Sequence, residues 1–89
     1  MKTAGQLLTE QIQAAGITQS ILGRDTGVST AMISSVCTGK SALPVRLAAR
    51  IGQELGLEFG EALVIAQAQD RLERDLTEYN RLIKEMGGE

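Results

Sequence analysis

The sequence has no tryptophan and no histidine, and only one tyrosine, one phenylalanine, one cysteine and one proline among its 89 residues. So few aromatic side chains leave the core to aliphatic residues and alanine, which suits closely packed helices. Cys37 alone excludes an internal disulfide, and one cysteine without histidine cannot supply zinc-site spacing. A reducing environment, no metal and no cofactor are therefore expected. No segment approaches the roughly 20 apolar residues needed to cross a bilayer, and the N-terminus lacks a basic stretch followed by a long apolar run. The expected setting is the cytoplasm, away from any membrane. Catalytic chemistry is poorly provided for: there is no nucleophile beside a plausible base, no phosphate-binding glycine loop and no paired carboxylates in an evident cleft. An enzyme is not expected. The length accommodates one small domain.

Net charge is −2 with a pI near 5.1, which on its own argues against a nucleic-acid partner. The distribution is less uniform. Through Leu57 five cations face three anions, and from Glu58 onward four face eight. A mildly basic front joined to an acidic back suggests two surfaces with different tasks, although ordinary scatter of surface charge would produce the same totals.

Helical spacing organises the whole chain. Thr3 can cap a first helix over Ala4 to Ala15, in which Leu7, Leu8, Ile12 and Ala15 recur at helical spacing and which Gly16 stops. Thr18 opens a second helix of barely two turns, with Ile21 and Leu22 facing inward, which Gly27 breaks. Ser29 caps a third, with Met32, Ile33 and Val36 as its apolar stripe and Gly39 at its close. Pro44 fits the first turn of a fourth helix, whose buried face would comprise Val45, Leu47, Ala48, Ile51 and Leu55. Gly56 ends it, and Leu57 to Gly60 read as a brief connection to a last helix from about Glu61 to Met86, uninterrupted by Pro or Gly. The predicted fold is thus all-α with five helices, residues 1–60 forming a helix-turn-helix domain and residues 61–89 a C-terminal helical element of the same compact unit.

That last helix has a periodicity of its own. Ile65, Leu72, Tyr79 and Met86 recur every seven residues, and Ala62, Gln69, Leu76 and Ile83 form a second row, together a heptad seam. The stripe either seeks a partner helix, most simply from an identical chain, or folds back on its own domain. Gln69 at a seam position would weaken pairing while fixing its register.

The segment from Thr18 to Gly39 carries the functional reading. Gly23 is small where two helices would cross, Gly27 permits a tight turn, and Val28 and Ile33 are apolar where the second and third helices would clasp. Those are the steric requirements of a helix-turn-helix, which lays its second helix in the major groove of DNA. The stretch resembles the lambdoid-phage repressor and Cro family of helix-turn-helix domains through Thr18-Gln19, Gly23, Gly27-Val28-Ser29, Ile33-Ser34 and Gly39-Lys40, in matching order. Gly23 stands where that family usually has Ala, and Cys37 where it often has Glu. The resemblance covers roughly residues 4 to 57 and implies a five-helix repressor-like domain. It also implies that Gln19 anchors a phosphate and that Thr30, Ala31, Ser34 and Ser35 face the groove. Serine and threonine hydroxyls discriminate bases weakly and the Ala31 methyl can meet a thymine methyl, so dimer spacing and DNA shape would share in specificity. Ser29 is first of all an N-cap at the base-facing turn. Lys40 is the leading phosphate contact, with Arg24, Arg46 and the helix N-termini as lesser ones.

The expected partner is therefore double-stranded DNA, bound at a palindromic operator by a homodimeric transcriptional repressor of phage or prophage type, with Ile65, Gln69, Leu72, Leu76, Tyr79, Ile83 and Met86 at the dimer seam. An alternative is a protein-interaction module or an antitoxin, in which the acidic C-terminal helix holds a protein partner. The Ser/Thr-rich face of helix three favours groove binding, because a protein interface would prefer Tyr, Trp, Arg or Met at its centre.

Overall fold

A computed structural model describes residues 2–87, so the outermost positions of the two expected segments, residue 1 and residues 88–89, lie outside it. The described residues form five helices: α1 (Ala4–Ala15), α2 (Gln19–Thr26), α3 (Thr30–Cys37), α4 (Val45–Leu55) and α5 (Leu57–Glu85). Among them there is no strand, as the all-α expectation required.

Local chemistry explains where the first three helices begin. The Thr3 hydroxyl accepts from the Gln6 amide at 3.2 Å while the Gln6 side chain accepts from the Thr3 amide at 2.9 Å, a closed capping box. Thr18 and Ser29 repeat the single-sided version on Ile21 and Met32, each at 3.1 Å. All three had been expected as caps.

Leu8, Leu22, Ile33, Val36, Ile51 and Leu63 form the fully buried centre, with one or more from every helix. Helices α1 and α3 pack together, α2 touches both α3 and α4, and α5 lies against α4 and α1. Only the front half of α5 takes part: Gly60, Leu63 and Ala66 are buried, whereas Arg71 to Leu82 are all exposed. The rear half projects from the body, which gives the molecule its 51 × 24 × 22 Å extents.

The second half of the chain departs from the sequence reading in three ways. Helix α5 begins at Leu57 and not near Glu61, so Gly56 alone separates it from α4 and the expected Leu57–Gly60 connection is its first turn. The cause is tertiary: a Cβ on Gly60 would lie 2.8 Å from the Gly52 Cα, and one on Gly52 would lie 3.1 Å from the Gly60 Cα. Two helices crossing this closely need glycine at the contact, whatever its helix propensity. Pro44 sits just before the first turn of α4, with an extended ψ of 151°, and its carbonyl accepts from the amides of Leu47 and Ala48. Val45, expected on the buried face, is 72% exposed. It stands two turns before the Gly52–Gly60 crossing and borders an open groove between α4 and α5 instead of the core.

Candidate nucleic-acid interface

Helices α2 and α3 are held as a unit by four residues. A Cβ on Gly23 would stand 2.8 Å from the Val28 carbonyl and 3.0 Å from the Thr30 hydroxyl, so α2 meets the start of α3 with no room for a side chain. Gly27 turns the chain at φ 77°, and its amide donates to the Gly23 carbonyl at 2.9 Å. Thr26 stitches the turn from both sides: its hydroxyl donates to the Leu22 carbonyl at 2.7 Å and accepts from the Val28 amide at 3.2 Å. Val28 is 2% exposed and locks the turn to the core. A helix placed this way has fixed tilt and register.

What α3 presents outward is small and polar. Ser29, Thr30 and Ala31 are exposed at its N-terminal turn, while Ser34 and Ser35 are half-buried one turn later and Ile33 and Val36 face the core. The far end is closed by Gly39 at φ 82°, with the Lys40 amide donating to the Ser35 carbonyl at 2.9 Å and the Gly39 amide to the Val36 carbonyl at 3.0 Å. These two bonds make a Schellman closure, which gives the exposed Lys40 a defined exit direction from the helix. The Thr38 hydroxyl adds bonds to the Ser34 and Ser35 carbonyls.

The cationic residues are placed unequally. Lys40 and Arg46 are exposed and make no ion pair among the described residues, while Arg24 is paired with its neighbour Asp25 at 3.2 Å. Gln19, expected at a phosphate, is half-buried at the first position of α2.

Sequence reading missed Arg50 and Ser41. The Arg50 guanidinium lies close to the α2–α3 turn, 3.4 Å from where a Cβ on Gly27 would be, which adds a cation beside the start of α3. Its four-residue spacing from Arg46 on one helix was the available signal. The Ser41 hydroxyl hydrogen-bonds to that of Ser35 at 2.8 Å and so fixes one of the outward hydroxyls of α3. No spacing rule announces such a loop contact.

Two side chains of α5 brace this region from behind. The Gln67 amide brackets Leu43, accepting from its N–H at 2.8 Å and donating to its carbonyl at 3.0 Å. Asp70 accepts from the Ala4 amide at 3.0 Å and so adds a second ligand to the N-terminus of α1. The loop that carries Lys40 and Ser41 is thereby tied to the long helix. Beyond Asp70 the heptad seam turns away from the body: Ile65, Leu72, Leu76, Tyr79 and Met86 are each more than half exposed, Gln69 is exposed and Ile83 half-buried. The seam does not fold back on its own domain.

Among the described residues no helix is long and apolar enough to cross a membrane, and no group of three or more metal-ligating side chains could hold a metal ion. No protein-family model matches the chain, and no solved structure matches it. It is 45% identical over 42 residues to the HTH-type transcriptional regulator for conjugative element R391 of Providencia rettgeri. The same identity over the same length relates it to the regulators for element SXT of Vibrio cholerae and pMERPH of Shewanella putrefaciens. The match takes in 47% of this chain, and the chain spans about 20% of the length of each of these relatives. Over that shared segment the chain resembles helix-turn-helix transcriptional regulators.

Proposed function

We propose that this chain is a sequence-specific DNA-binding repressor of transcription, of phage or prophage type, that lays α3 in the major groove and binds a palindromic operator as a homodimer. The observation that carries this reading is the N-terminal turn of α3: Ser29, Thr30 and Ala31 stand exposed on a helix whose angle is locked by the Gly23 contact. That is the turn a helix-turn-helix directs at base edges. Likeness to proteins named as HTH-type transcriptional regulators supports the same reading.

In this arrangement Thr30, Ala31, Ser34 and Ser35 read bases, through hydroxyl donors and acceptors and one methyl group. Lys40, Arg46 and Arg50 neutralise phosphates along the flanks, with Gln19 and Arg24 as further backbone contacts and Ser29 holding the helix start. With so few cations per chain, specific binding requires two half-sites read together. The exposed seam of α5 supplies that second copy.

Selection of bound fragments from genomic DNA with the purified chain tests the reading directly, and enrichment of one inverted repeat is the expected result. On the selected site, Lys40→Ala lowers affinity for every sequence alike and reduces the slope of log K against log salt by about one. Ser35→Ala changes the ranking of related sites. Fragments recovered without any common sequence would contradict the proposal.

A further inference from the structure

Beyond the first turn of α5, the seam leaves one large exposed apolar side chain unexplained among the described residues: Leu82, 42% exposed, lies one position before Ile83 on the seam's flank. Which way a second copy runs decides whether Leu82 finds a partner. In a parallel pair identical residues meet, so Gln69 faces Gln69, Tyr79 faces Tyr79, and Leu82 lies beside Gly87. Ala62 against Ala62 then leaves a gap at one end, and Met86 against Met86 crowds the other.

An antiparallel pair centred between Leu72 and Leu76 matches unlike residues instead. Ala62 meets Met86 of the second copy, small against long. Ile65 meets Ile83, and Leu72 meets Leu76. The one polar seam residue, Gln69, meets the hydroxyl-bearing Tyr79. On one flank Leu82 then packs on Ala68 and Val64 of the other chain, and Asp75, which meets its own copy there at an exposed position, is faced by Arg71 of each opposite chain. Within the chain neither Arg71 nor Asp75 has an ion-pair partner among the described residues. On the other flank Glu73 meets its own copy, at an exposed position where solvent and salt screen the repulsion.

We propose that α5 pairs antiparallel with a second copy of itself in this register; the inference rests on the dimer reading given above. It has a geometric consequence for that reading. At 1.5 Å per residue the packed halves of the two long helices, centred on Leu63, lie about 33 Å apart along the pair. One turn of B-DNA, the usual distance between half-site centres, is roughly 34–36 Å. A parallel pair would set the two bodies level, with no separation along the helices.

The test uses the full chain with Cys37→Ser as background. Ile65→Cys and Ile83→Cys are made separately, oxidised mildly alone and then as an equimolar mixture, and resolved without reductant. The antiparallel register predicts a covalent dimer from the mixture and none from either variant alone. Cross-linking of each variant with itself, or of neither the variants nor the mixture in a chain that sediments as a dimer, would overturn the register and leave the dimer standing. Sedimentation of the unmodified chain as a monomer would remove both. An independent arm is Ala68→Lys at an exposed position. Against Leu82 of the second copy the ammonium weakens the dimer tenfold or more, whereas in a parallel pair it would approach Glu73 and tighten association. Tightening would therefore exclude the antiparallel arrangement.

Discussion

At the scale of single residues, small side chains carry much of the architecture. Gly23 and Gly5 both stand where another helix leaves no room: a Cβ on Gly5 would lie 2.6 Å from the Val36 carbonyl and 2.7 Å from that of Cys37. Alanine at Gly23 would gain about 1 kcal/mol of helix propensity, but it must push α3 away at a cost of about 1–3 kcal/mol. We expect Gly23→Ala to lower the urea midpoint and to weaken operator binding beyond what the stability loss explains, because the tilt of α3 changes with it. Gly5→Ala should be the more damaging to stability, since two backbone carbonyls must yield and not one carbonyl and a hydroxyl. An unchanged midpoint in both variants would show that these crossings can relax freely. Gly23 was legible in the sequence because it sits inside a motif. Gly5 was not, since nothing within α1 reveals that the end of α3 passes over it.

The elements divide in the same way. Helices α1, α2 and α3 could be read from the chain because each carries its own start and stop: a hydroxyl cap at Thr3, Thr18 or Ser29 and a glycine at Gly16, Gly27 or Gly39. The start of α5 has no such cap, and its early Gly60 reads as a breaker until the contact with Gly52 is known. Val45 was misassigned for a related reason, since periodicity locates a face but not how far a neighbouring helix extends along it. Contacts between distant segments escape sequence reading altogether, as Gln67 with Leu43 and Asp70 with Ala4 show. Gln67 gives a sharp test at this scale. Gln67→Ala leaves the Leu43 N–H and carbonyl without their side-chain partner in a partly buried site, which should cost about 1–3 kcal/mol. The loss is measurable by denaturant unfolding. Gln67→Glu, which can accept from the N–H but cannot donate to the carbonyl, should fall between.

For the molecule as a whole, the proposed pairing through the projecting half of α5 would separate folding from assembly. Its seam residues, apart from the half-buried Ile83, are exposed in the single chain and lie outside the core cluster, so charge can be placed on them without unfolding the body. Leu76→Asp is expected to keep the helical circular-dichroism spectrum and the unfolding midpoint of the diluted chain. It should convert a dimer to a monomer in sedimentation and reduce operator affinity at least tenfold. Loss of helical signal together with loss of binding would instead mean that the rear of α5 supports the fold.

The bracket that Gln67 places around Leu43 joins the loop carrying Lys40 to the helix that bears the seam. If α3 touches DNA and α5 couples two copies as proposed, the two are parts of one stiff frame, with only Gly56 between α4 and α5. A frame of this kind acts as a caliper. It should accept sites at one separation and reject the same half-sites moved closer or farther, so the distance between the halves becomes part of the message the protein reads.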